Sequence, residues 1–143
     1  RDSIRQRQTV WKWLLQITMC GSSLLTGLNV SIWNLLADVD EIIIPAEQSG
    51  CRHTYNQFTI RVKEGRRDEL KTYLEENGIP SMIYYPYPIH QQKAYLESPH
   101  RVAGSLTNTE NLCKEVLSLP MHTELENGII ETIASTIKDF FKK

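Results

Sequence analysis

The chain has 143 residues, 16 basic against 17 acidic side chains, and 41% hydrophobic residues. That length suits one domain with a real hydrophobic core, and the balanced charge excludes a basic, nucleic-acid-binding surface protein. Its three cysteines, Cys20, Cys51 and Cys113, and four histidines, His53, His90, His100 and His122, are scattered, with no paired metal-ligand spacing; the odd cysteine count speaks against a disulfide framework and for a reducing compartment, the cytoplasm in the simplest reading.

Residues 1–37 form an atypical apolar N-terminal segment. Arg1, Arg5, Arg7 and Lys12 open it, and from Trp13 to Ala37 there is no charge at all. The run is long enough to cross a bilayer, but Gln16, Thr18, Ser22, Asn29 and Asn34 dilute it, and Gly21 and Gly27 weaken it as a helix. Three readings stay open: a partly buried soluble helix, a disrupted helix that folds poorly, and a membrane tether over residues 13–36. No clean small-residue cleavage site marks it as a secretory signal.

From Asp38 to residue 143 the chain reads as one compact unit. Glu41–Pro45 is a short β-branched run stopped by proline. Tyr55–Lys63 alternates, with Phe58, Ile60 and Val62 on one side and Tyr55, Gln57, Thr59 and Arg61 on the other, which predicts a half-buried strand. Arg66–Asn77 carries Leu70, Tyr73 and Leu74 on one helical face, and Asn77-Gly78 is a helix-stop signal. Ser81–Tyr85 reads as a further strand. Pro86 and Pro88 then stiffen a tyrosine-rich loop, and Gln91–Leu96 follows as a short helix.

Thr107–Glu110 offers a capping box for a helix reaching about Val116. Leu117–Pro120 is a short apolar strand. Thr123–Glu126 offers a second capping box, ahead of a last helix with Ile129, Ile130, Ile133, Ile137, Phe140 and Phe141 as its apolar stripe. The implied fold class is α/β, more narrowly an α+β unit: a small, mainly antiparallel sheet with helices packed on one face.

Several of these stretches resemble one family. Asp38–Pro45, His53–Val62, Tyr84–Tyr95 and Leu117–Met121, in this order and spacing, are similar to the C-terminal domain of the DegT/DnrJ/EryC1/StrS sugar aminotransferases, over residues 35–143. The resemblance implies the small domain of a fold-type-I enzyme that uses pyridoxal phosphate to place an amino group on a nucleotide-linked keto sugar, in polysaccharide or amino-sugar biosynthesis. Such enzymes hold the cofactor through a lysine in a large N-terminal domain, and no lysine here sits in that context. The implied chain is therefore a truncated domain that binds no cofactor alone and is inactive alone. Its partners would be the missing large domain, a second copy in a homodimer, and the nucleotide sugar.

The resemblance also puts His53, Tyr55, Gln57, Tyr84, Tyr85 and His90 at the mouth of the active site, as donors and acceptors for substrate. Asp2-Ser3-Ile4 resembles the start of a charged helix in the family and Trp33–Leu36 its end, so a shifted reading frame between them is expected. A competing reading is a binding module without chemistry.

Overall fold

The computed structural model describes residues 32–51, 57–97, 101, 104–121 and 125–142. A three-stranded antiparallel sheet lies at its centre, with strands β1 (Ile42–Ile43), β2 (Phe58–Val62) and β3 (Val116–Leu119) in the order β1-β2-β3. The helices are α1 (Arg67–Glu76), α2 (Lys93–Leu96), α3 (Thr107–Glu115) and α4 (Asn127–Lys142), with a 3-10 turn at Ile89–Gln91. Most of the apolar N-terminal segment, with its membrane and reading-frame expectations, lies outside the described residues. Among the described residues, no helix is long and apolar enough to cross a membrane.

The alternation in β2 sets the two faces of the sheet. Phe58, Ile60 and Val62 are fully buried and stand beside Leu119, Leu117 and Ile42 in register. They share one core with Ile32 and Leu36, with Leu70 and Leu74 of α1, and with Ile130, Ile133, Ile137 and Phe140 of α4. The opposite face is polar. The Thr59 and Ser118 hydroxyls pair at 2.8 Å, and Arg61 donates to Glu115 at 2.8 and 2.5 Å through Nε and Nη2. The first pair runs across two strands and the second from strand to helix, and together they give the sheet a second, hydrogen-bonded face.

The elements follow local chemistry with two exceptions. Gly78, at φ 74°, closes α1: its N–H donates to the Glu75 carbonyl at 3.0 Å, and the Ile79 N–H to the Leu74 carbonyl at 2.9 Å. Ile79 is buried, completing the apolar contact of this stop. The buried Arg67 of α1 donates to the Cys113 carbonyl at 2.6 Å, satisfying an otherwise free acceptor at the end of α3. The Thr107–Glu110 capping box does not form. The Ser105 hydroxyl accepts from the Thr107 N–H at 3.4 Å and pairs with the Thr107 hydroxyl at 2.7 Å, so the helix starts earlier, and Glu110 is engaged elsewhere. Thr123, and with it the second box, lies outside the described residues.

The second exception is the strand expected at Ser81–Tyr85. Only Met82 pairs with β3, exchanging two 2.9 Å backbone bonds with Ser118. The next pair in one direction would join Pro80 to Pro120, neither of which has an N–H. In the other direction the Val116 N–H already donates to Leu112 at the end of α3. The α4 stripe needs one correction: Ile129 is 46% exposed, because it lies at the rim of the arc centred on Ile133 and Ile137, while Ala134 fills a buried place within it.

Ile133→Ala removes a side chain only 1% exposed and leaves a cavity, so it is expected to cost about 2–5 kcal/mol, while Ile129→Ala stays within about 0.5 kcal/mol. Denaturant midpoints of the two variants check this. Burial pushes the Cys113 thiol pKa up, with the Arg67 charge opposing it, whereas Cys51 is exposed. Brief alkylation near pH 8 should therefore modify Cys51 well ahead of Cys113, read by peptide mapping; equal rates would place Cys113 outside the core.

Candidate functional site

The candidate site is the segment from Met82 to Leu96, which leaves the edge of the sheet after one backbone pair. Pro86 and Pro88 fix φ on either side of Tyr87, and Pro88 is buried. The side chains between them and around them point outward: Tyr84 is 51%, Tyr85 63% and Tyr87 67% exposed. Exposed tyrosines on a rigid backbone present large, amphipathic contact surfaces that lose little entropy on binding. Beyond Pro88 the chain closes a 3-10 turn, with the Gln91 N–H donating to Pro88 and the Gln92 N–H to Ile89, both at 3.0 Å.

His90 is half-buried, unlike the tyrosines. Its Nε2 lies 3.0 Å from Glu110 Oε1, and the Gln91 side-chain amide donates to the same oxygen at 3.1 Å. A residue of α3 thus holds two consecutive side chains of the 3-10 turn. Sequence reading missed Glu110 because its spacing to Thr107 fits a capping box, and nothing local distinguishes the two uses. It also passed over Tyr87, which belongs to the same exposed row as Tyr84 and Tyr85.

The expected site residues divide into three groups. Tyr84, Tyr85 and His90 fall in one segment. Gln57 is exposed just before β2, and the register puts β3 between it and that segment, because Phe58 stands opposite Leu119 while Met82 stands opposite Ser118. The structure does not bring Gln57 to the tyrosines. His53 and Tyr55 lie outside the described residues. Arg61, on the polar face of β2, is held by Glu115, each side chain about a quarter exposed.

A lysine that holds pyridoxal phosphate covalently must be desolvated or otherwise made less basic. The described lysines, Lys63, Lys71, Lys93, Lys114, Lys138 and Lys142, are not buried. Lys63 donates to the Asp40 carbonyl, Lys71 pairs with Glu75, Lys138 with Asp38 at 2.8 Å, and Lys142 with Asp139 at 3.6 Å. The Lys138 hydrogen bond holds the Asp38 carboxyl below its ordinary pKa. These residues do not fit the covalent role. Among the described residues no cluster of histidine, cysteine and carboxylate side chains could hold a metal ion.

Comparison with known proteins identifies the family. Residues 30–138 match the model of the DegT/DnrJ/EryC1/StrS aminotransferase family. The chain is 37% identical over 103 residues to a "pleiotropic regulatory protein" of Geobacillus stearothermophilus, covering 72% of this chain and 27% of that protein. It is 40% identical over 98 residues to the UDP-N-acetyl-3-dehydro-alpha-D-glucosamine 3-aminotransferase of Acidithiobacillus ferrooxidans, covering 68% and 25%. The chain thus spans about a quarter of the length of these curated relatives. Its fold superimposes on an aminotransferase of this family from Brucella abortus with a TM-score of 0.74 and 34% identity, over 84% of this chain and 31% of that one. It also matches NtdA of Bacillus subtilis, solved with bound cofactor PMP, at 26% identity and a TM-score of 0.65, over 80% and 28%.

Mixed with pyridoxal phosphate, the chain alone is expected to give no stoichiometric visible band that one lysine substitution abolishes. Absorbance titration of the wild type and of single Lys→Ala variants checks this, and a band lost with one particular lysine would overturn it.

Proposed function

The chain belongs to the DegT/DnrJ/EryC1/StrS aminotransferase family, whose members use pyridoxal phosphate, and on that premise we propose that it is the C-terminal part of an enzyme that places an amino group on a nucleotide-linked keto sugar. The observation that carries the proposal is that the matched residues include the proline-stiffened tyrosine segment, with Tyr84, Tyr85 and Tyr87 exposed. Relatives named as nucleotide-sugar aminotransferases support the substrate class.

In this reading a large domain supplies the lysine and phosphate site, and the cofactor supplies the electron sink. This chain supplies one wall of the sugar site. The tyrosine hydroxyls both donate and accept, matching a ring of sugar hydroxyls, and their rings exclude water from it. His90 adds a directed nitrogen, and His53 and Tyr55 are proposed as further polar groups for the substrate. The free thiols Cys51 and Cys113 suit a cytoplasmic enzyme, and a homodimer is the proposed assembly.

The test is complementation: the chain co-expressed with the N-terminal domain of a relative, with amino transfer to a nucleotide keto sugar measured. Tyr85→Phe and His53→Ala are each expected to lower kcat/KM by about 0.5–1.5 kcal/mol of transition-state stabilisation while unfolding midpoints stay put. The competing reading, a binding module without chemistry, predicts no restored turnover. Wild-type kcat/KM in both variants would make the segment scaffold.

A further inference from the structure

We propose that Glu110 is a positioning residue of the sugar site: its carboxylate sets the place of the tyrosine segment and keeps the His90 proton on Nε2, so that the neutral ring offers Nδ1 as a lone-pair acceptor to a hydroxyl or amino group of the substrate. The substrate half of this statement rests on the function proposed above; the tie itself rests on geometry alone.

The segment has little apolar anchorage of its own. Tyr84, Tyr85, Tyr87, Ile89, Tyr95 and Leu96 are all exposed; Pro88 is buried, and Ile83, at the start of the segment, packs partly buried against the core. The bonds from Gln91 to Pro88, Gln92 to Ile89 and Tyr95 to Gln92 lie within the segment. They give it shape without giving it a place. Place comes from contacts with the rest of the fold: the Met82–Ser118 backbone pair and Ile83 against the core at the start, and among its side-chain ties the Glu110 carboxylate beyond Pro88. Glu110 stands in the first turn of α3, a helix that is itself pinned through Arg67 and the Cys113 carbonyl. The negative charge is favoured there by the helix dipole.

The chemistry of the acceptor decides the tautomer. An ionised carboxylate only accepts, so a nitrogen 3.0 Å from it must carry hydrogen. In the neutral imidazole that leaves Nδ1 as the acceptor. The same oxygen takes a hydrogen from Gln91, which fixes the orientation of the turn that presents the ring. Although Thr107 and Glu110 have capping-box spacing, α3 begins at Thr107 with the Ser105 hydroxyl accepting its N–H, and the Glu110 carboxylate turns to His90 and Gln91 instead. A local rule broken where a tertiary tie is made is the pattern expected of a site residue.

Two-bond proton–nitrogen correlation spectra of the full chain, labelled with ¹⁵N-histidine and held at a pH where the ring is neutral, read the tautomer directly. The wild type is expected to show His90 protonated on Nε2. Glu110→Gln keeps the shape, but its amide can either donate or accept, so a mixed pattern is expected with an unchanged unfolding midpoint. Glu110→Ala is expected also to speed hydrogen exchange at the Gln91 and Gln92 amides by about tenfold. The same His90 pattern in all three proteins, or unaltered exchange in Glu110→Ala, overturns the proposal. Neither readout needs turnover. A tautomer that shifts as expected, in a chain whose Tyr85→Phe variant keeps full complemented activity, upholds the tie and overturns the sugar contact.

Discussion

The described fold depends on β3 being buried along its length and paired on both edges. All four of its residues are buried, from Val116 to Leu119. One edge pairs with β2 over Phe58–Arg61, and the other pairs with Met82 through Ser118. Leu117 and Leu119 join the apolar core, while the Ser118 side chain turns to Thr59 on the polar face. Buried backbone groups need partners, and the Ser118 N–H and carbonyl find theirs in Met82, the one residue of the tyrosine segment that pairs with this strand. The placing of the candidate site is thus a consequence of backbone accounting in the core.

Where structure follows local pattern, the sequence could be read directly. The alternation through Phe58, Ile60 and Val62, the glycine stop at Gly78 and the burial of Ile130, Ile133 and Ile137 are short-range signals that the core obeys. The family likeness was legible in the same way, because it rests on several short stretches in fixed order. What could not be read is tertiary. Ser81–Tyr85 has strand-like composition, but its pairing is limited by Pro120 and by the Val116 amide, both distant in sequence. Glu110 has cap-like spacing, but its partner is set by where His90 and Gln91 arrive. Ile129 is apolar and in phase, yet an arc has edges, and only packing decides which residue sits at one.

The two faces of the sheet divide labour. The apolar face supplies cohesion through α1 and α4. The polar face supplies direction: the Arg61–Glu115 pair holds the C-terminal end of α3, and the Glu110 carboxylate works from its N-terminal end. α3 is therefore a rigid arm between the sheet and the tyrosine segment. Partly exposed ion pairs such as Arg61–Glu115 add little net stability, so their value here is in fixing orientation.

The proline pattern has a consequence for how copies of this chain behave in a crowded solution. Open sheet edges invite strands from other molecules to add on, and long flat ones seed aggregates. On the Met82 side the edge is a single pair, with Pro80 on one flank and Pro86 and Pro88 beyond it. On the other side β1 is two residues long, and Pro45 follows closely, its carbonyl occupied by the Trp33 indole N–H at 3.1 Å. Each edge offers an incoming strand too few donors and acceptors in a row to pair with. The same residues that stiffen the tyrosine surface for recognition also deny it as a template for self-association, leaving its aromatic side chains exposed while its backbone stays unavailable.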